Sequence, residues 1–144
     1  MHIQHSVLIR KPLEEVEAYL TDVSNNCVWQ EDVTESGVLT DGAIGKGTKA
    51  FEVRSIMNFS LRTEWEVTAY QPGSSFSFAS TSSVAPYEGA FNLEAVDNCT
   101  KVTFSFTIFH SGFNALFDPF IQSIFSPRFR KNLENLMTIL ENSS

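Results

Sequence analysis

Residues 59–67 read Phe59-Ser60-Leu61-Arg62-Thr63-Glu64-Trp65-Glu66-Val67. Phe59, Leu61, Thr63, Trp65 and Val67 share one parity; Ser60, Arg62, Glu64 and Glu66 take the other. Side chains of an extended chain point alternately to opposite faces, so this stretch is a strand with one largely apolar face and one charged face. Such strands build antiparallel sheets that are wet on one side. The pattern recurs on both flanks. Phe51, Val53, Ser55 and Met57 oppose Glu52 and Arg54, which turns those two charges toward solvent. Phe76 and Phe78 face away from Ser77 and Ala79. Tyr87, Gly89, Phe91 and Leu93 oppose Glu88, Ala90, Asn92 and Glu94. Val102, Phe104, Phe106 and Ile108 oppose Thr103, Ser105 and Thr107. Pro72-Gly73 and Asp97-Asn98 supply turns between these runs.

Toward the N-terminus, Ile3, Val7 and Ile9 alternate with polar residues and form a first strand. Pro12 opens a short helix carrying Leu13, Val16 and Leu20 on one face. A turn and a second short helix follow over 22–29, then a strand over 33–39. Gly42, Gly45 and Gly47 mark a loop whose spacing does not fit a phosphate-binding P-loop, and a strand rather than a helix follows it. The C-terminal segment is helical from Asp118-Pro119, an N-cap with proline in the first turn. Phe117, Phe120, Ile121 and Ile124 recur at helical spacing, as do Phe129, Leu133, Leu136, Met137 and Leu140. The two sets lie on roughly opposite faces, and Pro127 between them predicts a kink or break. The order of elements is α+β, one sheet against one long helix, in a single domain over residues 1–144.

Composition narrows the function. The net charge of −7 disfavours a phosphate backbone as partner. No apolar run is long enough for a transmembrane helix, and MHIQHSVLIRKP lacks the layout of a signal peptide, so a cytoplasmic location is expected. Cys27 and Cys99 are far apart and read as free thiols. The sequons at 58–60, 98–100 and 142–144 have no secretory context. The 13 phenylalanines either fill a core or line an apolar pocket.

If parity sets the face, the interior is walled by rings and hydroxyls without a charge. Ser55, Thr63, Ser80 and Tyr87 would orient a ligand there. Burying about 300 Å² of ligand apolar surface yields roughly 7 kcal/mol gross, much of it offset by association costs, which points to micromolar affinity. Catalytic candidates are sparse. Tyr87 and His110, at the end of the last strand, are the two weak candidates for acid–base work. A hydrolase elbow is absent. His5, His110 and a carboxylate make no converging ligand set, so neither a metal nor a cofactor is expected. Arg62 and Glu64 read as a solvent-facing pair. Arg128, Arg130 and Lys131 form a basic cluster, read as a solvated helix face or as a dock for an anionic headgroup or acidic partner.

A set of motifs carries a resemblance: Ile9-Arg-Lys-Pro12 with Val16 and Leu20-Thr-Asp22; Trp29; Gly45-Lys-Gly47-Thr48; Trp65-Glu-Val67-Thr-Ala-Tyr70-Gln-Pro72; Phe91-Asn-Leu93-Glu94; Thr100-Lys-Val102-Thr103; and Asn132 to Leu136 through Leu140-Glu141. In this order, over about residues 2–141, they resemble the START-like (SRPBCC, Bet v 1-like) superfamily, in its polyketide cyclase/dehydrase and lipid transport branch. The resemblance implies a helix-grip fold, with a curved seven-stranded antiparallel sheet around the C-terminal helix and a cavity between them. It implies a small hydrophobic ligand (lipid, polyketide or aromatic). Some members catalyse cyclisation or dehydration, and chaperone-activating members act as interaction modules. No catalytic residue carries over. Trp29 and Trp65 match family tryptophans and are expected near the cavity. The predicted ligand wall comprises Trp29, Phe51, Val53, Ser55, Leu61, Thr63, Trp65, Phe76, Phe78, Tyr87, Phe91, Phe104 and Phe106, with Phe117, Phe120, Ile121 and Ile124 from the helix. Its lack of charge favours a binder over an enzyme. Peripheral membrane contact is compatible with this reading.

Overall fold

The computed structural model describes residues 1–56, 58–82, 86–109 and 118–143. Its strands are β1 (His2–Ile9), β2 (Val33–Val38), β3 (Lys49–Ile56), β4 (Phe59–Gln71), β5 (Ser75–Ser82), β6 (Tyr87–Val96) and β7 (Cys99–Ile108). All neighbours run antiparallel in the order β1-β7-β6-β5-β4-β3-β2. Between β1 and β2 come helix α1 (Leu13–Thr21), a 3-10 turn at Val23–Asn25 and helix α2 (Asn26–Trp29); helix α3 (Asp118–Glu141) ends the chain. This is the α+β helix-grip architecture, a curved half-barrel with short helices after its first strand.

Turn chemistry follows the sequence. Gly73 sits at φ +81° after Pro72, and Asp97 adopts φ 56° between β6 and β7, a left-handed backbone that Gly accepts freely and Asp tolerates. Irregular register within β4 and at the start of β2 bends the sheet, as bulges do.

One apolar layer joins the elements. Ile3 and Ile9 of β1, Val16 and Leu20 of α1, Val102 of β7 and Leu133, Leu136 and Leu140 of α3 are all buried in it. The helix is held along β1 by side chains. Gln122 Nε2 donates to the His2 carbonyl at 2.9 Å, and His5 Nε2 bonds Ser126 Oγ at 2.9 Å. At the far end the Arg10 N–H donates to Glu141 Oε2 at 2.9 Å.

Of the kink or break expected at Pro127, the break does not occur: helix α3 runs unbroken through that residue. A second expectation, about the face of α3, needs correction. Ile124, expected to line the interior, is 45% exposed, whereas Phe129 is buried. The two lie about 140° apart around a helix turning about 100° per residue, so the buried face is that of Phe129. The side chains of Phe120 and Ile121, and all of Met57, His110 and Phe117, lie outside the described residues.

Candidate functional site: a wall of rings with a charged end

The inner face of β4 to β7 is a continuous array of rings. Trp65 contacts Phe76 and Phe78 with centroids 6.4 and 5.2 Å apart. Phe78 in turn lies 6.3 Å from Phe91 and 6.4 Å from Phe104. Phe91 and Phe104 are 4.5 Å apart. Trp29 of α2 closes edge-on against Phe91 at 6.0 Å, and Phe129 of α3 lies 5.0 Å from Phe106. These spacings are those of favourable stacked, tilted and edge-to-face pairs. Gly89 makes the array possible: a Cβ there would stand 2.5 Å from Phe78 Cζ. Most of these rings are buried, but Phe78 and Tyr87 remain half-buried.

Parity holds on β4, β5, β6 and β7: Thr63, Trp65, Phe76, Phe78, Tyr87, Phe91, Phe104 and Phe106 share the inner face. Leu61 keeps the same parity but is 37% exposed. On β3 the reading is overturned. Ala50 pairs with Trp65, Glu52 with Thr63 and Arg54 with Leu61. Directly paired residues share a face, so Ala50, Glu52 and Arg54 face inward, and Phe51, Val53 and Ser55 belong to the outer face. The Phe51 ring instead rests beside Gly37, where a Cβ would come within 3.0 Å of it, and the Arg62 guanidinium sits 4.4 Å above it. Arg62 and Glu64 do lie on that outer face, 3.4 Å apart.

The inner charges are knotted together. Arg54 Nη1 donates to Asp32 Oδ2 at 2.8 Å, and Nη2 donates to Gln30 Oε1 at 2.8 Å and Glu52 Oε2 at 2.9 Å. Asn26 Nδ2 donates to Glu52 Oε1 at 3.0 Å. From α3, Asn132 Nδ2 reaches Asp32 Oδ1 at 3.5 Å, and its Oδ1 accepts the Glu31 N–H at 3.2 Å. Burial opposes charge on Arg54, but Glu52 and Asp32 outweigh it and hold the guanidinium more firmly protonated than usual. Burial likewise works against ionised Asp32, but Arg54 prevails and its carboxyl titrates lower than ordinary. Both terminal nitrogens of Arg54 are thus engaged by protein acceptors.

Beside this knot, Thr63 Oγ1 and Tyr87 Oη are 2.9 Å apart. Burial pushes the Tyr87 phenol up to about 12; Glu52 adds to the shift, while Thr63 and Arg54 oppose it. The phenol is therefore neutral at physiological pH, fit to donate a hydrogen bond and unfit as a base. Ser80, the other hydroxyl of this wall, accepts the Tyr87 N–H at 3.0 Å. Among the described residues no group of His, Cys, Asp and Glu side chains is arranged to hold a metal ion. No helix among the described residues is long and apolar enough to cross a membrane.

A curved seven-stranded antiparallel sheet gripped by one long C-terminal helix defines the class of helix-grip folds. Within that class, residues 1–141 match the model of the polyketide cyclase / dehydrase and lipid transport family, and the chain belongs to that family. Solved structures share the fold. A protein from Thermus thermophilus superposes with TM-score 0.83 at 18% identity, covering 97% of both chains. A START superfamily protein from Mycobacterium smegmatis gives 0.79 at 11% identity, again over 97% of each chain. The Zhui aromatase/cyclase from Streptomyces gives 0.78 at 11% identity, over 98% of this chain and 93% of its own. No curated protein matches the sequence.

Proposed function

We propose that the chain, acting as one domain in the cytoplasm, binds a small hydrophobic molecule between the ring wall and α3, with the ligand's polar end at Thr63 and Tyr87. The observation that carries this reading is the pair of half-buried rings, Phe78 and Tyr87, on an otherwise buried aromatic face that ends in a hydroxyl pair. Rings supply apolar contact at little entropic cost, and a few fixed polar groups supply orientation. A family named for polyketide and lipid chemistry supports the same ligand class. Native mass spectrometry of the protein purified from its own cells is expected to find a hydrophobic small molecule retained in stoichiometric amount. Tryptophan fluorescence is expected to respond to at least one of a fatty acid, a sterol and an aromatic polyketide. A bare mass together with silence toward all three defeats the proposal.

A second reading, a cyclase/dehydrase-type enzyme, is favoured by one specific observation. Glu52 and Arg54 face the interior, next to a phenol that keeps its proton. There Tyr87 would donate a hydrogen bond to a substrate carbonyl oxygen and stabilise negative charge developing on that oxygen. Turnover of an identified substrate is expected to fall on Tyr87→Phe with binding retained. Unchanged turnover in that variant removes Tyr87 from the chemistry.

A further inference from the structure

We propose that the seam between β1 and α3 is a docking slot for an extended acidic peptide segment of a partner protein, which adds as a strand beside β1. Strand β1 is an edge of the sheet. Met1 and Ile108 exchange both backbone hydrogen bonds, at 3.0 and 2.8 Å. In an antiparallel ladder such pairs alternate, so Ile3, His5, Val7 and Ile9 bond β7, and the backbone groups of His2, Gln4, Ser6, Leu8 and Arg10 point away from it. Helix α3 satisfies this edge at both ends, through Gln122 on the His2 carbonyl and Glu141 on the Arg10 N–H. Between those ties, the edge groups of Gln4, Ser6 and Leu8 have no partner among the described residues.

A groove of about 480 Å³ opens beside Ser6, the middle residue of that gap. Val7, Leu133 and Met137 give it an apolar floor, and Arg130 and Lys131 stand on its rim with a single carboxylate, Glu134. Both cations are exposed, and neither is ion-paired among the described residues. Two unpaired cations beside one groove in a chain of net charge −7 select an acidic occupant. The bare edge selects a peptide, because only another backbone offers N–H and C=O groups at matching intervals, and the floor accepts its apolar side chains.

The test uses the full chain and a fluorescein-labelled acetyl-(Val-Glu) three-repeat amide, read by fluorescence polarisation. Micromolar binding is expected. It is expected to weaken at least tenfold on exchanging Glu for Lys in the peptide, on N-methylating alternate residues, or in the Arg130→Glu/Lys131→Glu protein. Ser6→Pro, which deletes one outward N–H at an edge position that tolerates proline, is expected to weaken it as well. Circular dichroism checks that each variant folds, and the modified peptides give the answer on unaltered protein. No binding, equal binding of the lysine or N-methylated peptide, or indifference to the double charge reversal overturns the proposal. So does capture of phosphatidylglycerol vesicles, but not peptide, through Arg130 and Lys131.

Discussion

The ring wall of β5 to β7 and the polar knot on β3 face the same interior but are stabilised in opposite ways. The wall gains from apolar burial and ring contact, terms that are individually small, non-directional and tolerant of partial loss. The knot places Arg54 between Asp32 and Glu52, where attraction has to overcome desolvation and removing one partner leaves unmatched charge. A wall of that kind can yield to a ligand, while a knot of this kind can only hold or fail. The proposed ligand therefore meets the wall where Phe78 and Tyr87 stay half-buried, and the anchor is where α2, β3 and α3 meet at Asn26, Arg54 and Asn132.

The sharpest way to break this contrast is Arg54→Met. It leaves two carboxylates without their cation and is expected to cost about 3–5 kcal/mol, seen as a lowered urea midpoint. Adding Asp32→Asn and Glu52→Gln is expected to recover most of that loss; no recovery means that packing, not charge, sets the cost. Within the wall, Gly89→Ala drives a methyl group into the Phe78 ring. It is expected to cost about 1–3 kcal/mol by overpacking, read as a fall in melting temperature, and a neutral result would mean that the ring has room to withdraw. Tyr87→Phe removes the hydroxyl that bonds Thr63 and is expected to cost about 1 kcal/mol, measured by the same melts. The smallest effect is acid sensitivity. The Asp32 carboxyl titrates below its ordinary value in the folded protein. Its contribution is thus complete above the unfolded value, about pH 4, and disappears as pH falls through the lower folded value. Asp32→Asn is expected to flatten that acid limb of the stability curve, and an unaltered limb would place the dependence elsewhere.

The fold was legible because β4 to β7 each carry one apolar parity, and because Pro12, Pro72-Gly73, Asp97-Asn98 and Asp118-Pro119 punctuate the chain where elements begin and end. The inner rings followed from the same alternation. Strand β3 misled because Phe51 and Val53, two of its three bulky apolar residues, face outward, where Gly37 and Arg62 accommodate the Phe51 ring. A signal did exist. Ile56 pairs with Phe59, a hairpin with two residues between its strands, so every odd position of β4 meets an even position of β3. Choosing the wrong parity by one residue inverts the whole strand. Asn132, lodged between Phe129 and Leu133 on the buried face of α3, was a second sign that this interior has a polar end. The Phe78–Gly89 fit was not readable, since it depends on which residues meet across β5 and β6.

The central claim is that this interior admits a hydrophobic molecule and reads its polar end at Thr63 and Tyr87. It is tested most directly by following the indole proton signals of Trp29 and Trp65 during titration with 1-naphthol and with naphthalene. Both probes are expected to shift the indole signals, 1-naphthol binding severalfold more tightly, with that preference abolished by Tyr87→Phe. Indole signals unmoved by either probe, or a preference that survives loss of the Tyr87 hydroxyl, would contradict it.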